Sequence, residues 1–383
     1  MHEIALVGAY DRYNYGDILL PHIITDVYKG KYKCDYYALI DSDLSNIGGF
    51  KTNSIKRLYS DNHKYKAIII VGGDVFASSW FGMYICYNYW DIYPLKILHR
   101  IMPEITEMIC KKKLSGKSRF PWIFNNVFNT NVKIIYNCVG GYRENDKQSS
   151  EELKLLSRNA SYISCRDIMA LNSIEKRGFY VPDSAIIMSD IYGGNYLEDN
   201  VSNKVKMICN EPYVVFQSRK IKSREKEKRI GEQLDVFTKK TGLKVVLLPI
   251  GFANAHEDLK ALKNIYQFTN HATLITEATI WEIMYIIAHS RAFVGSSLHG
   301  CITAASFNVP SCPMDNKIAK QEFFYNGWKV PTVPNNKWDI NYISENYSAL
   351  INNFDKNILR IKVNDLKNMV CQNLTYIDNI IND

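Results

Sequence analysis

The sequence predicts an α/β protein of two doubly wound, Rossmann-like domains that face one another across a cleft. Three observations predict it. Short continuous apolar runs recur along the 383 residues, as at Ala67–Val71, with the length and composition of strands buried on both faces. Most are closed by small or turn-forming residues and followed by apolar residues at helical spacing, the alternation that builds a parallel sheet. The alternation then begins afresh near residue 210, so the architecture occurs twice.

In the first half, the run at 4–7 leads through GAYDRYNYGD to Ile18, Leu19, Ile23, Ile24 and Val27, a helix face for which Asp17 reads as the N-cap. Ala67–Val71 ends at Gly72-Gly73, and a strand at 132–136 precedes NCVGGY. Further strands are expected at 162–164, with Arg166 and Asp167 as a local pair opening a helix, and at 179–181, ending at Pro182-Asp183. The polar stretch 198–211 reads as the boundary. Strands at 213–216, 244–248, 273–275 and 292–294 follow, with helices between them. The expected domains are 1–205 on the acceptor side, 206–335 on the donor side, and closing helices over 336–383.

Hydrophobic residues make up 46% and charged residues 22%, the balance of a folded chain rather than a disordered one. The nine cysteines are scattered without a CxxC pair, which fits a reduced cytoplasm and argues against zinc. The start, MHEIALVGAYDRYN, has no basic region before its brief apolar run, so neither export nor membrane insertion is expected. A net charge of +8 suits anionic small molecules or an anionic bilayer, and nucleic acid is set aside because no recognition motif accompanies the charge. The seven aromatics of 76–90 read as core packing. In 110–128, Lys and Arg are interleaved with Phe and Trp, which suits peripheral contact with the inner face of the membrane and equally a solvated loop over a hydrophobic patch.

The sharpest feature is RAFVGSSLHGCITAASFNVPSCPMD, residues 291–315. It reads as a strand ending at Gly295, a turn through Ser296, Ser297, Leu298 and His299, and a helix from Gly300 that Ala304 and Ala305 let pack closely. Unpaired N–H groups and the positive end of the helix dipole then face the cleft, where an anion belongs. His299 stands beside that anion as an acid and base, with a structural cap or a packed ring as its other reading. In LPIGFANAHED, Gly251 permits close backbone approach, while His256 and Asp258 follow on the next turn. Two ligands without a third make a poor metal site, so no metal is expected. Asn14, Gly16 and Asp17 follow the first strand, where a short amide and carboxylate can bond sugar hydroxyls, and Asp183 faces the same interdomain region.

The pieces GSSLHG, ITAASF and NVP, together with NYGD at 14–17, VGG at 71–73, SCRD at 164–167, VPD at 181–183 and LLPIGFANAHEDL at 247–259, resemble the polysaccharide pyruvyltransferase family in order, across residues 1–320. Leu298, His299, Gly300 and Pro310 match the family's Gly-x-Arg-Leu-His-Gly turn and its Gly-x-Pro exit. Ser297 stands where that turn carries Arg, and Gly72-Gly73-Asp74 replaces three glycines. The resemblance implies a transferase that needs no cofactor and moves the pyruvyl group of phosphoenolpyruvate onto two hydroxyls of a sugar, closing a cyclic ketal. Its implied acceptor is a polyprenyl-diphosphate-linked precursor of a cell-surface polysaccharide. His299 is then the acid and base; Arg219, Ser297, Leu298, Gly300, His256 and Lys317 hold the donor; Asn14, Gly16, Asp17 and Asp183 hold the acceptor. Paired Rossmann halves are also the GT-B architecture of glycosyltransferases that use nucleotide sugars, which is the alternative reading. A catalytically silent scaffold of polysaccharide assembly, motivated by Ser297, is another.

Overall fold

All five residues of AIIIV, 67–71, are buried, so both faces of this strand are covered and the strand belongs inside a parallel sheet. The computed structural model describes residues 2–87, 89–128, 131–143, 146–254 and 258–383. Among them the first sheet has eight strands: β1 (His2–Val7), β2 (Tyr32–Ala38), β3 (Ser42–Asp43), β4 (Lys51–Ser54), β5 (Ala67–Val71), β6 (Lys133–Val139), β7 (Tyr162–Cys165) and β8 (Phe179–Tyr180). Their order is β3-β4-β2-β1-β5-β6-β7-β8, parallel except for the β3–β4 pair. Ile4 of β1 stands opposite Cys34 on one side and Ala67 on the other.

The second sheet has five strands: β9 (Tyr213–Gln217), β10 (Lys244–Leu247), β11 (Ala272–Leu274), β12 (Phe293–Gly295) and β13 (Ser311–Pro313), in the order β11-β10-β9-β12-β13. In each sheet the winding reverses beside its first strand, between β1 and β5 and between β9 and β12. Connections leave such a point in opposite directions, which opens a crevice at the carboxyl ends of the strands. Residues after β1, β5, β9 and β12 line one shared cavity.

The halves are joined by backbone as well as side chains. Asn14 bridges Gly251, the Tyr15 N–H donates to the Ile250 carbonyl at 3.2 Å, and the N–H groups of Phe252 and Ala253 both donate to the Tyr13 carbonyl at 3.0 Å. The Tyr13 and Phe252 rings stack over the junction with centroids 4.4 Å apart. Beneath it one buried apolar cluster includes Ile18 and Leu19 of the first half and Ile283 and Ile302 of the second.

The polar stretch at 198–211 carries the helix Asn203–Ile208, which Ser202 caps by accepting from the Val205 N–H, so it is structured rather than a bare linker. The last helix, Lys356–Asn382, buries Leu359, Val363, Leu366, Val370, Leu374, Ile377 and Ile381 on one stripe of three- and four-residue spacing. It returns to the first sheet, where the Tyr28 hydroxyl donates to the Leu374 carbonyl at 2.8 Å and that of Tyr162 to Asn373 Oδ1 at 2.6 Å. Each such buried Leu or Ile contributes about 1.5–3 kcal/mol, and truncating Leu366 to Ala would cost roughly 2–5 kcal/mol.

In 76–90, Phe76, Trp80, Tyr84 and Tyr87 are core residues, whereas Trp90 is 90% exposed. Membrane contact through 110–128 is corrected by burial: the rings of Phe120, Trp122 and Phe124 pack inside the first half beside Ile123 and are not presented to a bilayer. Exposed apolar side chains of this region, among them Trp90, Tyr93, Ile101 and Met108, precede that stretch. No helix among the described residues is long and apolar enough to cross a membrane.

Candidate active site

The helix after β12 runs Leu298–Ser306, two residues earlier than its sequence suggests, because Ser297 caps it: Ser297 Oγ accepts from the Gly300 N–H at 3.2 Å. The N–H groups of Ser296 and Ser297 both donate to Gln217 Oε1 at 2.8 Å. These two N–H groups of the turn are therefore engaged and are not among those left to face an anion. The N–H groups of Leu298 and His299, in the first helical turn, have no intrahelical acceptor. Gln217 is oriented in turn by Asp258, whose Oδ2 accepts from Gln217 Nε2 at 2.8 Å and from the N–H groups of Ile250 at 3.1 Å and Gly251 at 2.9 Å. Burial pushes the Asp258 carboxyl up to about 6, against the lowering effect of these three donors.

His299 sits in that first turn with its side chain 12% exposed and Nε2 3.6 Å from Asp183 Oδ2. Asp183 is buried; it accepts from Arg166 Nη1 at 2.6 Å and from the Ala185 N–H at 3.0 Å. Burial by itself would raise the Asp183 carboxyl, but the His299 ring and the Arg166 guanidinium draw it well below the usual carboxylate range. Arg166 Nη2 reaches Asp74 Oδ1 at 2.6 Å, and Lys320 lies 3.4 Å from the other Asp74 oxygen. A chain of alternating charge thus runs from His299 to the cleft wall. Two expectations change here. Arg166 pairs with Asp183 and Asp74 rather than with Asp167, which caps its own helix through the Ala170 N–H at 2.7 Å. Asp183 lies behind His299 instead of on the cleft surface, so its geometry serves the ring rather than an acceptor sugar.

The cleft has a volume of about 560 Å³, within the range of small-molecule pockets. Asn14 and Asp17 line it and bond each other, Nδ2 to Oδ2 at 2.9 Å. Asn14 holds the N-cap position of the helix Tyr15–Val27 and Asp17 is that helix's third residue, so Asp17 is not the cap. Gly16, between them, leaves the space that the His299 ring fills. Gly72 and Gly73 both adopt positive φ, and a β-carbon on Gly72 would stand 2.2 Å from Leu20 Cδ1. Asp74, in place of a third glycine, is the partner of Arg166.

Opposite, Arg219, Ser297 and Leu298 line the second-half wall, with the Arg219 head group 3.7 Å from Asp315. Gly300 is buried against Phe293 and Ile250, where a β-carbon would stand 2.5 and 2.9 Å from them, so its place is in packing and not on the cleft surface. Lys317 is exposed outside the cleft, its backbone turned on Asp315 Oδ1 at 2.9 Å, and Lys320 takes the lining position instead. His256 lies outside the described residues. Gln217, Lys320 and Arg12 escaped the sequence reading, and Asp74 entered it only as a departure from three glycines, with no role. Asp74 directly after VGG was the one local signal for any of them.

The fold is similar to that of UDP-GlcNAc 2-epimerase from Neisseria meningitidis bound to UDP-GlcNAc, over 98% of this chain and 100% of that one, with a TM-score of 0.55 at 11% identity. The S. aureus MnaA–UDP co-structure matches over 100% and 98%, with a TM-score of 0.56 at 13% identity. Phytolacca americana UGT2, complexed with UDP-2fluoro-glucose and pterostilbene, matches over 100% of both chains, with a TM-score of 0.50 at 11% identity. This likeness shows the fold, a two-domain, GT-B-like α/β architecture. Phosphoenolpyruvate and a lipid-linked sugar, the partners implied by the sequence resemblance, are corrected by these findings, since the first of these structures is bound to UDP-GlcNAc and the second to UDP. No curated protein matches the sequence. The model of the family described as polysaccharide pyruvyl transferase matches residues 14–318, through both crevices and the His299 turn, and the chain belongs to that family.

Proposed function

We propose that this chain is a sugar-modifying transferase whose cleft takes a nucleoside-diphosphate sugar as donor and a sugar hydroxyl as acceptor. The observation that carries the reading is the helix end at Leu298 and His299, set at the crevice of one doubly wound sheet and facing the crevice of the other. A diphosphate suits a helix N-terminus flanked by Arg219 and Lys320. In the reaction the acceptor oxygen bonds to the anomeric carbon while that carbon's bond to the diphosphate oxygen breaks. The electron pair leaves with the diphosphate, and the hydroxyl proton passes to His299. Asp183 faces Nε2, which leaves Nδ1, over Gly16, as the atom that takes the proton. The buried Asp183 carboxylate stabilises the imidazolium so formed.

The family match favours a second reading, transfer of a pyruvyl group onto two hydroxyls of one sugar to close a cyclic ketal, with His299 as acid and base. Calorimetry with UDP and UDP-GlcNAc, set against phosphoenolpyruvate as the contrast, separates the two. UDP binding that is lost in Arg219→Ala supports the first. A protein that binds only phosphoenolpyruvate, and yields a pyruvylated sugar by mass, overturns it in favour of the second.

A further inference from the structure

Arg12 is a buried cation on the cleft wall that the mechanism above does not use. Its side chain is 4% exposed, yet it lines the cleft on the first-half side. Among the described residues its hydrogen-bonding neighbours besides Asp11 are sulfurs, Met83 Sδ at 3.4 Å from Nη2 and the Cys86 thiol, and sulfur is a weak acceptor. Asp11 Oδ1 lies 3.3 Å from Nε, but out of alignment: both atoms are buried without a hydrogen-bond partner. The other Asp11 oxygen already accepts from the Tyr87 hydroxyl at 2.7 Å and the Ile40 N–H at 3.1 Å. The Tyr87 ring, 5.3 Å away, offers its face and no lone pair.

A guanidinium carries five N–H donors in a fixed fork, and burying such donors unmet is costly enough that native structures seldom do it. The carboxylates on the same wall do not relieve it, because Asp17 is bonded to Asn14 and Asp74 to Arg166 and Lys320. Lys96, at the rim of the cavity, adds a second cation. A ligand that brings an acceptor would complete the fork, and both a carboxylate and a phosphate match it bidentately.

We infer that Arg12, aided by Lys96, forms an oxyanion subsite on the first-half wall, separate from the helix end at Leu298, which takes the carboxylate or phosphate of a sugar ligand. This deepens the transferase reading and rests on it for the identity of the second ligand. Two sources supply that chemistry: the acid group of an acidic acceptor sugar, or a donor phosphate that reaches across the cleft.

The test is calorimetry on the full chain with glucuronate, glucose, UDP and inorganic phosphate, for the wild type, Arg12→Lys and Lys96→Ala. Arg12→Lys keeps the charge beside Asp11 and removes the fork, and Lys96→Ala alters only an exposed rim. The expected result is tighter binding of glucuronate than of glucose, with glucuronate weakened about tenfold in Arg12→Lys and about threefold in Lys96→Ala while UDP binding holds. Equal weakening of UDP, with glucuronate bound no better than glucose, supports the subsite with the donor phosphate as its occupant. Wild-type protein that ignores UDP, yet binds glucuronate or phosphate through Arg12, upholds the subsite and removes the nucleotide-sugar reading. The subsite is overturned if Arg12→Lys and Lys96→Ala bind every anion as the wild type does, or if no anion binds the wild type.

Discussion

A β-carbon built on Gly16 would stand 1.8 Å from Nδ1 of His299. The ring at the helix end of the second half thus occupies the space where the first half has no side chain, and the putting together of the two halves decides where His299 points. Gly16→Ala must displace the ring from this position beside Asp183. Transfer activity is expected to fall with that of His299→Ala, by about 100-fold to 10,000-fold, while far-UV circular dichroism stays as in the wild type. A Gly16→Ala enzyme of near wild-type rate would remove His299 from the mechanism.

Asp183→Asn leaves Arg166 and His299 facing a neutral amide in a buried site. Removing one member of a buried pair typically costs about 3–5 kcal/mol, and urea denaturation at pH 7 should show a loss of that order. The folded carboxyl lies below its unfolded value, so its contribution is present above about pH 4 and is lost as the pH falls through the folded value. The gap between wild type and variant is therefore expected to narrow below about pH 4.

Asp258 carries the opposite sign. Its folded carboxyl is raised to about 6, so this group favours the fold at low pH, and that contribution is lost as the pH rises through about 6. Relative to Asp258→Asn, wild-type stability should decline by roughly 1–3 kcal/mol between pH 4 and 7. Parallel urea midpoints across that range would show the carboxyl to be ordinary.

Ser297→Arg exchanges a helix cap for a cation at the cleft. The Gly300 N–H loses its acceptor, at about 1 kcal/mol. A charge-assisted contact to a phosphate-bearing ligand is gained. The melting temperature without ligand should fall by a few degrees, while UDP binds about tenfold more tightly in calorimetry. Weaker UDP binding would place the diphosphate elsewhere in the cleft.

Much of the fold was legible because buried parallel strands are written as continuous apolar runs, and β1, β5, β9 and β12 all carry them. Strand β2 escaped notice: YKCDYYA mixes Lys33 and Asp35 with aromatics, and it becomes a strand through its pairing with β1. Within the site, the His299 turn could be read because helix starts and glycine-bounded turns are local. Gln217 could not, since its importance lies in bonds to Ser296 and Ser297, 79 and 80 residues away.

Local sequence alone determined the alternation of strand and helix, the restart near residue 210 and the turn that carries His299, because each depends on neighbours in the chain. Tertiary structure decided the rest. It turned Asp183 from the cleft surface toward His299, moved the lining cation from Lys317 to Lys320, and buried Arg12 with its Nε unmet. The first two are matters of which charges meet across two separately wound sheets, and the third of which acceptors the fold leaves beside a buried cation. Pairing between charges is set by distance in space, and in this protein that distance exists only once both crevices close on one cavity.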